Sequence, residues 1–317
     1  MSGARAEVLA SLVGEAARPS ASLSGVHPDE SQLVSALTGT WGPRIAWLVV
    51  GLAGAWSIGD AIDGRSNAVR AIVMIGSWLV WGVGVIALVV PSTLGLTLTR
   101  MLSAVACGAS VTSWIAGVSP AAGSVFVAAT LVFALLTGGA EFGQRCVQAS
   151  AYGDEHRFLL RPPAAFLPPI AIAGLAWVAA VLAAPLLIAT RQWIAGGVVA
   201  VVAVVLTYLL LPRFNALASR WLVLVPAGVV LHDMVVLAET LMVPSPNLVE
   251  IDLALAETQA ADFTGPAAGH AIEISMRSMA DVVLAPTKDA PRGRALHVQS
   301  FIVAPTRPGA VLRAVQR

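Results

Sequence analysis

Charge is what this sequence lacks most. Only 12% of its 317 residues are Asp, Glu, Lys or Arg, and 57% are hydrophobic. A soluble domain carries about 25% charged and about 45–50% apolar residues. A water-soluble fold of this length cannot hide such an apolar excess, and a mean hydropathy of +0.81 points the same way. The shortage excludes an ordinary soluble domain as the whole molecule and makes lipid the solvent for most of the chain. A net charge of +1 lacks the basic bias of a nucleic-acid binder, so no nucleic-acid partner is expected.

Other absences narrow the field further. Two cysteines, Cys107 in an apolar segment and Cys146 in a polar loop, exclude a disulfide framework and a zinc-ligand spacing, and read as reduced thiols. Lys288 is the one lysine against eighteen arginines, a bias that suggests a GC-rich, actinobacterial genome. No HExxH, P-loop or CxxC occurs. Ala55-Trp56-Ser57-Ile58-Gly59 approaches a nucleophile elbow, but it begins with Ala and falls in a predicted spanning helix. His232-Asp233 reads as a surface turn, and Asp154-Glu155-His156 as a solvated loop. The expectation is a protein with no cofactor, no metal and no enzymatic activity. Residues 1–40 hold Arg5, Glu7, Glu15 and Arg18 and no apolar run, so a cytosolic tail is expected in place of a secretory signal. Within it, Ala4 to Arg18 suits a short amphipathic helix or a disordered segment.

Long uncharged runs are what the sequence has in abundance. A spanning helix needs about 20 apolar residues. Six runs qualify, at 45–60, 71–90, 101–118, 121–140, 164–190 and 193–211, and define a membrane all-α domain over 41–212. The first is short, and Trp41, Pro43 and Arg44 before it lengthen the membrane segment. With the N-terminus inside, Arg44, Arg100, Arg145, Arg157, Arg161, Arg213 and Arg220 fall on the cytosolic side. Arg65, Arg70 and Arg191 fall outside. Seven against three predicts a plasma-membrane protein with both termini in the cytosol.

After Pro212 the texture changes to short strands. Trp221 to Val225, a Pro226-Ala227-Gly228 turn and Val229 to His232 predict a hairpin. Strands are also expected at 235–237, 240–243, 248–253, 271–276, 282–284 and 296–303, with a terminal helix at 308–316. Residues 213–317 are therefore read as a cytosolic, mainly-β domain. Arg220-Trp221-Leu222-Val223-Leu224-Val225-Pro226-Ala227-Gly228-Val229-Val230, followed by Leu248-Val249-Glu250-Ile251, resembles the opening of a pleckstrin-homology-like domain. With six helices before it, the chain resembles bacterial multi-pass membrane proteins that carry such a domain. The resemblance implies a β-barrel-like fold with a capping helix, serving as a binding or assembly module.

Candidate site residues are few. Asp60 and Asp63, three apart at the end of the first helix, share a face and suit a cation or a proton. Glu141 and Arg145 are spaced for a helix-end ion pair. Between Asp233 and Asp281 eight acids stand against Arg277 alone, whereas the chain from Lys288 onward is basic. Within that basic end, Arg292, Arg294, Arg307 and Arg313 are candidate contacts for anionic lipid headgroups, at about 1 kcal/mol per base near the surface. Two functions fit. One is a membrane-anchored interaction protein or scaffold, whose β domain binds a protein partner or anionic lipid. The other is a transporter or channel component for a small or hydrophobic solute, using in-span hydroxyls such as Ser57, Ser110 and Ser113.

Overall fold

The fold is seen in a computed structural model, which describes residues 37–286 and 290–316. Most of the N-terminal tail, with the expected helix at Ala4 to Arg18, lies outside the described residues, as do Lys288 and Arg317. Among the described residues, six helices are long and apolar enough to cross a membrane. They are α1 (Gly42–Ile62), α2 (Asn67–Val89), α3 (Thr93–Ile115), α4 (Pro120–Gly138), α6 (Leu167–Ala189) and α7 (Trp193–Ala218). A short amphipathic helix, α5 (Ala140–Gln148), follows α4 after a break at Gly139. The starts are encoded locally. Ser66 and Ser92 cap α2 and α3 by accepting from the amides of Val69 and Gly95. Prolines open α1, α4 and α6, where a missing N–H costs nothing.

Two boundaries differ most from the sequence reading. Helix α3 begins at Thr93, eight residues before Met101, because its polar first turns satisfy themselves. The Thr97 hydroxyl donates to the Thr93 carbonyl at 3.0 Å and Thr99 to Gly95 at 2.7 Å. Helix α7 continues through Pro212 to Ala218, and Arg213 reaches back to the Leu209 carbonyl.

Helix α3 is the centre of the bundle, packing on α1, α2, α4, α6 and α7. Its hydroxyls bond its neighbours: Ser113 to Ser57 at 2.7 Å and Ser110 to Thr130 at 3.2 Å. Helices α1 and α2 are joined by a reciprocal exchange. The Trp47 indole donates to the Trp81 carbonyl at 2.9 Å, and the Trp81 indole donates to the Trp47 carbonyl at 3.2 Å. Each ring needs a glycine socket, since a Cβ at Gly84 would strike the Trp47 ring and one at Gly51 the Trp81 ring.

The β part consists of two four-stranded sheets. The first contains β1 (His156–Leu159), β2 (Trp221–Val225), β3 (Gly228–His232) and β4 (Leu241–Pro244), antiparallel in chain order. The second contains β5 (Leu248–Leu253), β6 (Ala261–Asp262), β7 (Ile272–Leu284) and β8 (Arg294–Val303), in the order β5-β7-β8-β6. Helix α8 (Pro308–Val315) seals the core with Val311. Phe158, Leu222, Leu231, Val243, Ile272 and Phe301 meet at the centre. Gly228 is required where it stands: its φ is +148° and a side chain would collide with the Val243 carbonyl.

Strand β1 comes from the loop between α4 and α6, outside 213–317. The segment after it joins both sheets: Leu160 N donates to Arg220 O at 2.9 Å and Arg161 N to Ala304 O at 2.8 Å. The expected strand at 235–237 is a turn, which touches the second sheet where Leu237 pairs with Leu284. The strands expected at 271–276 and 282–284 are one bent strand, β7, with a register shift between Ser275 and Ala280.

Candidate functional site

The paired carboxylates lie at one end of the helical bundle. Both Asp60 and Asp63 are exposed. They turn to different partners: Asp60 accepts from the Ser119 hydroxyl at 2.8 Å, and Asp63 accepts from its neighbour Gly64 N at 3.1 Å. The shared helix face thus ties α1 to the start of α4, and the two groups do not converge. Among the described residues no group of three or more His, Cys, Asp or Glu is placed to hold a metal ion.

The four arginines divide between two places. Arg292 and Arg294 are exposed at the turn into β8. Arg307 precedes α8 and grips Glu141 in a bidentate pair at 2.9 Å, binding the β part to α5. Arg313 is exposed on the last turn of α8. The length of β8, about 30 Å at roughly 3.3 Å per residue, separates the two groups, so they do not form one surface.

Two readings change with burial. Asp233, read as part of a surface turn, is fully buried and clasps Arg220, with Nε–Oδ1 and Nη2–Oδ2 both 2.7 Å. Its Oδ1 also accepts from the amides of Val235 and Val236. Cys146, read as a loop residue, is buried on the inner face of α5, and burial raises its thiol pKa to about 11 against the opposing pull of Arg100. His232, stacked on Trp221 at 4.8 Å, has its pKa lowered chiefly by burial. Glu155 is held lower than usual by its hydrogen bonds from Arg157.

An apolar space also lies among the spans. A cavity of about 540 Å³ opens between α1, α2, α3 and α6. Trp47 and Trp81 line it towards one end, and Arg65 and Thr190 towards the other. Phe126, Val105 and Leu182 line it too, and its hydroxyls are Ser77, Thr112, Ser113 and Thr190. Such a chamber accepts apolar matter and offers few directed polar contacts. Sequence spacing identified the in-span hydroxyls but not the gap, which forms between helices that are far apart in the chain. The chain matches no family model, no curated protein and no solved structure in comparisons with known proteins.

Proposed function

We propose that this chain is a membrane-anchored interaction protein of the plasma membrane, with its termini in the cytosol. It acts without catalysis by presenting its β module at the bilayer surface. The observation that carries this reading is the interleaving of the two parts. Strand β1 enters the module from an inter-span loop, and Arg307 holds α5, so the module is fixed in orientation and does not hang on a linker. The two sheets and closing helix suit a pleckstrin-homology-like binding role. The arginine balance of the loops supports the cytosolic side.

Strand β5 is the binding element in this reading. It is the edge of its sheet, and Val249, Glu250, Asp252 and Leu253 on it are exposed. An edge strand with unpaired backbone groups accepts an extended peptide. The acids of β5 favour a basic one. A photocrosslinker placed at Val249 in intact membranes is expected to give a discrete product that fades in an E250K/D252K variant. A product that ignores those changes, or no product, counts against the reading. Reporters after residues 155 and 317 are expected to read cytosolic, and those after 66, 119 and 191 external.

A second reading, a component that binds or moves a small hydrophobic solute, is favoured by the 540 Å³ chamber. Its test is competition by a brominated hydrophobic probe for tryptophan fluorescence, with A109F expected to exclude the probe.

A further inference from the structure

A second cavity, of about 450 Å³, lies where α3, α4, α6 and α7 meet the β module. It lies at the same end of the bundle as β1 and α8, where the apolar spans give way to the β module. Its lining is divided. Arg100 and Thr306 supply polar groups, and the Leu160–Pro162 segment passes along the wall beside them. Ile170, Phe214 and Leu217 supply an apolar side from α6 and α7.

Two polar demands are unmet there. Arg100 stands seven residues into α3, roughly 10 Å along its axis. Its Nε donates to the Thr137 carbonyl at 3.1 Å, which fixes the guanidinium against the end of α4. A guanidinium has five N–H donors, and no carboxylate among the described residues pairs with this one. A part-buried cation without a counter-charge is costly at membrane depth. The second demand is Thr306 Oγ1, a buried hydroxyl with no hydrogen-bond partner among the described residues. Buried polar groups are nearly always satisfied, so this one calls for an acceptor. Nearby charges do not meet either need: Glu141 is engaged by Arg307, and the Arg161 guanidinium is bonded to the Ala268 carbonyl.

We propose that this cavity holds the phosphate of an anionic phospholipid, with Arg100 as counter-charge, Thr306 as hydroxyl donor and the α6–α7 wall against the lipid chains. A phosphodiester brings the acceptor oxygens both groups lack, and guanidinium is the side chain best matched to it. The apolar wall selects a lipid over a free anion, and basic pockets between spanning helices are a known setting for anionic headgroups. The site stands independently of the β5 reading, since it uses no residue of that strand.

The test is a lipid titration of the delipidated full chain in mild detergent, read by thermal shift and by native mass spectrometry. Phosphatidylglycerol is expected to stabilise and to be retained, phosphatidylcholine to do so much less, and inorganic phosphate not at all. T306V is expected to weaken retention roughly tenfold, as for the loss of one hydrogen bond to a charged group. R100Q is expected to abolish the preference and R100K to restore part of it, while R292Q/R294Q leaves it intact. Equal response of the wild-type chain to the anionic and zwitterionic lipids overturns the proposal, whatever the variants do. An equal response to inorganic phosphate overturns the lipid assignment.

Discussion

Arg220 and Asp233 form a fully buried ion pair in the β module, and its geometry is what makes it tolerable. Both carboxylate oxygens are used, and a third guanidinium nitrogen donates to the Arg161 carbonyl at 2.5 Å. Removing one partner leaves the other charge buried and alone, at a cost of about 3–5 kcal/mol. Asp233→Ala should therefore open the module, seen as faster hydrogen exchange of the β2 and β3 amides, whereas the R220M/D233L double variant should recover much of the loss. The pair was legible in principle. A two-residue turn at Pro226-Ala227 fixes the register from Val225–Gly228 out to Trp221–His232, and the next pair along is Arg220–Asp233. What the sequence did not show is that both ends of this hairpin are roofed by Arg161 and the 235–237 turn. His232, one step inside, gives the pH prediction. Its pKa is lowered in the fold, chiefly by burial, so the unfolded chain takes up the proton first as pH falls. The contribution of this histidine is complete above its ordinary pKa of about 6.5 and declines below it. Module stability measured against pH should fall across that range in the wild type and stay flatter in His232→Gln.

Helices α1 and α2 show how element packing depends on single small residues. Their contact is a swap of tryptophan indoles, each seated over the other helix's glycine. Apolar surface alone gives no drive for association in lipid, so close approach and polar bonds must supply it. Gly84→Val places a branched side chain where the Trp47 ring lies. Overpacking of this kind costs about 1–3 kcal/mol. Cysteines placed on facing turns of α1 and α2 should crosslink less efficiently in that variant, while α1–α4 crosslinks persist. Helix α2 was plain from apolar run length, whereas the run of α1 is short and needed Trp41, Pro43 and Arg44 to lengthen it; the strand content from Trp221 onward was legible as well. Their partners were not, because a glycine in a spanning run reads the same whether it faces a ring or open lipid. Gly76, Gly82 and Gly197 meet nothing within 4 Å. Strand β1 escaped detection for a different reason. His156–Leu159 is four residues long, lies between Glu155 and Arg161, and takes its strand form from pairing with β2.

The molecule as a whole is therefore not a bundle with a detachable domain behind it. Phe158 and Leu160 lie in the β core, yet both belong to the loop between α4 and α6. Loss of a buried Phe or Leu side chain costs about 2–5 kcal/mol, and a domain's net stability is only about 5–15 kcal/mol. The end of β1 and the segment after it also tie the two sheets together: Thr306 N bonds the Leu159 carbonyl at 2.8 Å, beside the bonds of Leu160 and Arg161. Residues 213–317 produced alone should therefore fail to reach a cooperative fold, giving poorly dispersed amide spectra and no sharp thermal transition. Joining residues 153–163 to that fragment through a flexible linker should restore both, because it returns the missing strand without returning the membrane. If the fragment folds cooperatively without β1, the coupling between loop and module is dispensable, and the fixed orientation on which the interaction reading depends loses its physical basis.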